Sequence, residues 1–95
     1  MIALQNPLFK LGQVVSTPGA IEALKEAKTS AWELLSRHVA GDFGAVDADD
    51  WQANLDAIKE GSRILSAYTL KTSERLWIIT EADRSSTCVL LPHEY

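Results

Sequence analysis

One cysteine, one methionine, three prolines and five glycines among 95 residues exclude several chemistries at the outset. A lone Cys88 rules out an internal disulfide and a multi-cysteine zinc site. Set inside an apolar run, it reads as a small buried hydrophobe. No apolar stretch approaches the length of about 20 residues that spans a bilayer. The opening MIALQNPLFKLGQVV lacks the basic region and long apolar core of a secretory signal, so a soluble cytoplasmic chain is expected. No Lys/Arg stripe of the kind that tracks a phosphate backbone is present, which disfavours general nucleic-acid binding. Glycine-rich phosphate loops, a dinucleotide fingerprint, a G-x-S-x-G elbow and Cys/His metal patterns are also missing. No cofactor and no metal are therefore expected.

What the chain does have is a core. Hydrophobic residues make up 46%, enough to fold one domain over 1–95, and no repeat, low-complexity tract or linker divides it. Its net charge of −4 is unevenly spread. Residues 1–38 sum to +1 and residues 61–95 to zero. The segment 39–60 sums to −5, from Asp42, Asp47, Asp49, Asp50, Asp56 and Glu60 against Lys59. Such a block attracts a basic partner protein. Helix chemistry accounts for part of it, because Asp47 reads as an N-cap and Asp49 and Asp50 fall in the first turn, at the positive end of the helix dipole.

Local signals outline the elements. Thr17-Pro18 is a cap followed by proline at the first helical position, with Ile21 and Leu24 facing inward and an end near Lys28. Ser30 to Glu33 is a capping-box pattern that restarts a helix through Leu34, Leu35, His38 and Val39. Gly41 and Gly44 bracket a hinge at Asp42-Phe43. A third helix spans Ala48 to Glu60, stops at Gly61 and presents Ala48, Trp51, Leu55 and Ile58 as one stripe. Phe9–Val15 reads as a strand interrupted by Gly12, and Arg63–Leu70, Arg75–Thr80 and Ser86–Leu91 as three more. Their short links force neighbours antiparallel. The expected fold is α+β: an N-terminal strand, three short helices, then a three-stranded antiparallel meander packed on the helices. Its expected core holds Trp51, Leu55, Ile58, Ile64, Trp77, Ile79, Val89 and Leu91.

The segments TPGAIEAL (Thr17–Leu24), WELLSRHVAGDFG (Trp32–Gly44), LSAY (Leu65–Tyr68) and WIITEADRSSTCVLLPHEY (Trp77–Tyr95) together carry a resemblance. They resemble a family of small "plasmid-related" proteins found on bacterial plasmids and integrated mobile elements, and the likeness covers the chain from Thr17 onward. The resemblance implies a mobile-element origin. Small acidic proteins of such elements are often inhibitors of host defence of the restriction or CRISPR type, an association rather than a physical inference.

The densest polar chemistry lies between two β-rich runs, Leu76–Thr80 and Thr87–Leu91, where Glu81, Asp83, Arg84, Ser85, Ser86 and Thr87 crowd together. A turn needs less. These residues, with Asp42, Asp49, Asp50 and Asp56, form the expected contact surface for a host or defence-system protein. Asp83 and Arg84 are expected to form an exposed pair that contributes little to stability. The alternative is a small ribonuclease of barnase type, with His38 and Glu81 as acid and base, Arg84 or Arg63 over the phosphate and Tyr68 stacking a base. His38 and Asp42 have the four-residue spacing of facing helix ligands, but no third ligand follows, and a structural histidine favoured as a cation at a helix C-terminus is the simpler reading. Trp32, Trp51 and Trp77 sit at core-compatible positions. The sequence sets no oligomeric state.

Overall fold

The computed structural model describes residues 7–95. Strand β1 (Gln13–Ser16) leads into three helices, α1 (Pro18–Glu26), α2 (Ala31–Val39) and α3 (Ala48–Glu60). Strands β2 (Ile64–Thr69), β3 (Arg75–Thr80) and β4 (Ser86–Leu90) follow, then a 3-10 turn over Pro92–Glu94. The fold is α+β. Among the described residues no helix is long and apolar enough to cross a membrane.

The local signals act as their chemistry dictates. Thr17 accepts a hydrogen bond from the Ala20 amide at 3.1 Å, Ser30 from Trp32 at 3.2 Å and Asp47 from Asp50 at 2.8 Å. Gly61 ends α3 in the left-handed conformation, at φ 77°. Each side-chain cap satisfies an amide that the first helical turn leaves open.

The sheet corrects the expected three-stranded meander. Its order is β1-β4-β3-β2, with β1 parallel to β4 and the other pairs antiparallel. Short links do make β2, β3 and β4 antiparallel. The β1–β4 pair joins residues more than 70 positions apart, a contact that no local signal encodes. The strand also starts later than expected, at Gln13, because Gly12 (φ +66°) turns the chain tightly past the β3–β4 connection. A Cβ there would collide with the carbonyl groups of Arg84 and Ser85.

Register places Ile64, Ser66 and Tyr68 of β2, Leu76, Ile78 and Thr80 of β3, and Thr87 and Val89 of β4 on the face that meets the helices. The main core joins Leu76, Ile78, Val89 and Leu91 to Ala20, Ala23 and Leu24 of α1 and Leu34, Leu35 and Val39 of α2. A smaller cluster holds Phe43, Ala57 and Ile64. Ile64, Ile79, Val89 and Leu91 are buried as expected, whereas Trp51, Ile58 and Trp77 are half-buried and Leu55 is exposed. Ile21, expected inward, is also exposed, since alanines at 20, 23 and 27 supply the close face of α1. Trp77 belongs to the sheet face without helices, where the Tyr95 ring meets it edge-on at 5.8 Å. Trp32 is 46% exposed, beside the β1 edge, and is no core residue.

The misread stripe of α3 has a specific cause. This helix runs beside the edge strand β2 and turns Asn54 toward it. The Asn54 amide donates to the Leu65 carbonyl at 2.7 Å and its oxygen accepts the Leu65 N–H at 3.1 Å. A polar residue therefore holds the contact that apolar periodicity assigns to Leu55. Asn54→Ala is expected to cost about 1–3 kcal/mol by stranding two backbone groups, and Leu55→Ala no more than about 1 kcal/mol. Denaturant unfolding that ranks them in the opposite order would refute this placement of the helix.

Candidate functional site

The β3–β4 connection is held by one side chain. Arg84 adopts a left-handed backbone (φ 59°), and its guanidinium donates to the carbonyls of Ser62 at 2.7 Å, Glu81 at 3.1 Å, Ala82 at 3.1 Å and Ala57 at 3.0 Å. Ala57 is in the last turn of α3, where a cation is favoured, and its carbonyl also accepts the capping amides of Gly61 at 2.9 Å and Ser62 at 3.1 Å. The guanidinium also lies 5.7 Å from the Phe9 ring centroid. Arg84 thus clamps the turn against the end of α3. It forms no ion pair with Asp83, contrary to expectation; Asp83 instead accepts the Ser85 N–H at 2.9 Å. Hydrogen bonds from Ser85 hold the Asp83 carboxyl below its ordinary range.

This clamp gathers part of the expected contact surface. Asp49, Asp56 and Glu60 are exposed on α3, spaced to share one helix face, and Glu81 and Asp83 are exposed on the turn fixed to the end of that helix. Asp56 accepts one hydrogen bond, from Gln52 at 3.1 Å. Asp50, also exposed, borders a groove on the helix-free side with Arg75 and Trp77. Of the other expected residues, Asp42 is half-exposed but paired, and Ser86 and Thr87 lie within the sheet. Asp42 takes two hydrogen bonds from Arg37, at 2.8 and 3.3 Å, which hold its carboxyl below the usual range. Ser86 is half-buried in β4, and Thr87 is fully buried.

The ribonuclease set is not brought together in an open cleft. His38 is 0% exposed, with Nδ1 2.6 Å from Ser66 Oγ and Nε2 2.9 Å from Thr80 Oγ1. Thr80 and Thr87 hydroxyls are 2.7 Å apart, and Thr87 donates to the Leu11 carbonyl at 2.7 Å. A carbonyl only accepts, so the whole chain has one direction. Thr87 donates to Leu11, Thr80 to Thr87, His38 Nε2–H to Thr80, and Ser66 to Nδ1. The imidazole is neutral and fixed in one tautomer. Burial pushes its pKa down to about 4, against the expectation of a cation at the α2 C-terminus; no carboxylate accompanies it to offset desolvation. Tyr68 is buried beneath Arg37, whose guanidinium is 4.7 Å from the ring centroid, and its hydroxyl donates to the Asp42 carbonyl at 2.7 Å. Burial raises the Tyr68 pKa to about 12. Arg63 bonds the Tyr95 hydroxyl and lies over that ring. Only Glu81 of the set stands exposed and unengaged by its side chain among the described residues.

Two structural side chains escape the sequence reading. Asn54 is one, and Glu94 the other. The Glu94 carboxylate accepts from the Thr17 hydroxyl at 2.5 Å and the Leu91 amide at 2.8 Å, joining the C-terminal turn to the start of α1. The signal was Gly19, where a Cβ would meet that carboxylate. No family model matches the chain, and no curated protein or solved structure is significantly similar to it.

Proposed function

We propose that the chain is a non-enzymatic protein-binding module of a mobile element, and that its acidic side receives a basic surface of a host or defence-system protein. The observation that carries this reading is the Arg84 clamp, which aligns Glu81 and Asp83 with the end of the helix bearing Asp49, Asp56 and Glu60. Among the described residues the one ion pair is Arg37–Asp42, so none of these five carboxylates is ion-paired. Repulsion among them is relieved by a basic partner, and the same field steers its approach. The mobile-element origin rests on the resemblance of the four sequence segments, and an inhibitory role toward restriction or CRISPR systems is proposed by association with small acidic proteins of such elements.

The test compares wild type with Asp49→Lys/Asp56→Lys/Glu81→Lys in capture of proteins from a bacterial lysate. Wild type is expected to retain a defined partner. The triple reversal should lower its recovery about tenfold or more at low salt and less at high salt, with the far-UV spectrum unchanged and the melting temperature a few degrees lower, because Asp49→Lys opposes the α3 dipole. Equal recovery by both proteins would remove the acidic side as the contact surface.

A further inference from the structure

The two edges of the sheet are treated differently. Along β2, Ala45 N–H donates to the Ala67 carbonyl at 2.7 Å, Ala67 N–H to the Phe43 carbonyl at 3.1 Å, and Asn54 pairs with Leu65. That edge is covered by the chain itself. Along β1, the amides of Gln13 and Thr17 donate to the β4 side, to Ser85 and Val89, each at 3.0 Å. Alternation along a strand therefore turns the N–H and C=O of Val14 and Ser16 outward, and no described residue pairs with them. The strand QVVS has no charge and no proline, and Val14 and Val15 are 38% and 43% exposed. Natural sheets blunt an open edge with such features or cover it. Here a groove of about 360 Å³, between Val14 and Trp32, adjoins the edge on the helix side.

We infer that β1 pairs antiparallel with β1 of a second copy of this chain, across a two-fold axis at Val15, to form one continuous eight-stranded sheet. Val14 and Ser16 lie symmetrically about Val15, so Val14 of each copy exchanges both backbone bonds with Ser16 of the other. Val15 then faces Val15 in the narrow pair, where Cα atoms are about 4.5 Å apart. The same register sets Pro18 of one copy opposite Gly12 of the other. The first turn of α1, with its exposed Ile21, thereby approaches the groove.

Charge does not oppose a second copy at this edge, although the chain is acidic. The −5 segment includes α3, which packs beside β2, three strands away. At about 4.8 Å per strand, the β2 edges of a two-fold pair lie roughly 34 Å apart, well beyond the screening length of about 8 Å at physiological salt. The strand that meets the axis, β1, carries no charge. This surface is distinct from the acidic side, and the pairing stands or falls independently of the proposed function.

Sedimentation equilibrium of the full chain at about 100 µM, a concentration that detects even weak pairing, should return twice the chain mass of 10.4 kDa. Val15→Lys opposes two cations on the axis and should reduce the mass to one chain, while the far-UV spectrum stays unchanged and the melting temperature loses its dependence on concentration. In a Cys88→Ser background, needed because Cys88 neighbours Val15 across the β1–β4 pair, oxidised Val15→Cys should form a covalent dimer, since its Cα spacing suits a disulfide. Val14→Cys, which faces Ser16, should not. A single-chain mass for wild type, a dimer insensitive to Val15→Lys, or a dimer that Val15→Cys fails to cross-link overturns the inference.

Discussion

His38→Ala is expected to destabilise the protein by about 3–5 kcal/mol at pH 7, near the top of the range for single substitutions. Two losses combine. The imidazole is fully buried against the sheet, with the Phe9 ring perpendicular to it at 5.1 Å, so truncation leaves a cavity. Ser66 then has no acceptor, and Thr80 no donor, in a region without water-facing alternatives. Replacing the imidazole and both hydroxyl partners together, as His38→Leu/Ser66→Ala/Thr80→Val, should cost less than the sum of the single changes, because Ser66 and Thr80 leave no orphaned hydroxyl and Thr87 still donates to the Leu11 carbonyl. Denaturant unfolding of the single and combined variants measures this directly. A His38→Ala protein as stable as wild type would show that the hydrogen-bonded chain does not hold the core.

The same side chain sets an acid limit. Its folded pKa, about 4, lies below its ordinary value of 6.5, so below pH 6.5 the unfolded chain takes up a proton that the folded chain refuses. The stabilisation is complete above about pH 6.5 and is lost progressively as pH falls toward 4, by an amount on the order of 3 kcal/mol. His38→Leu, which cannot titrate, should lack this slope. It should keep the further loss at lower pH from carboxyls held down in the fold, such as Asp42 beside Arg37. Parallel stability–pH curves for wild type and variant between pH 7 and 4 would contradict the neutral buried state.

The elements that were legible in the sequence are those specified by adjacent residues. Caps at Thr17, Ser30 and Asp47, the stop at Gly61, and the links between β2, β3 and β4 follow from bonds spanning a few positions. The parallel attachment of β1 and the rotation of α3 do not, because each is decided by which edge of the sheet a distant segment reaches. His38 was legible as a polar residue in the apolar stripe of α2, but not its partners. The signal was there in Ser66, Thr80 and Thr87, one hydroxyl at an inward position of each of three consecutive strands. For the candidate surface, sequence clustering pointed to the turn and the acidic helix separately. It could not distinguish carboxylates left in solvent, such as Asp56 and Glu81, from the guanidinium that joins the two regions.

That distinction gives Arg84→Ala and Asp83→Asn opposite expected outcomes, although both residues occupy one turn. Arg84→Ala removes the donor shared by four carbonyls, including Ala57 at the end of α3 and Ser62 just beyond it, and should cost about 2–3 kcal/mol. Arg84→Lys should recover part of this. An ammonium keeps the charge at the helix terminus but cannot span carbonyls from two separate segments as the planar fork does. Asp83→Asn retains an acceptor for the Ser85 amide and should leave the melting temperature nearly unchanged. The clamp also makes a claim about binding that stability alone does not test. Below its melting temperature, Arg84→Ala leaves every exposed carboxylate in place but frees the turn from α3, so partner affinity should fall. By contrast, removal of that charge alone would strengthen attraction for a basic partner. Calorimetry with the captured partner would decide the sign. Tighter binding by Arg84→Ala would mean that charge governs recognition and the fixed geometry of the turn does not.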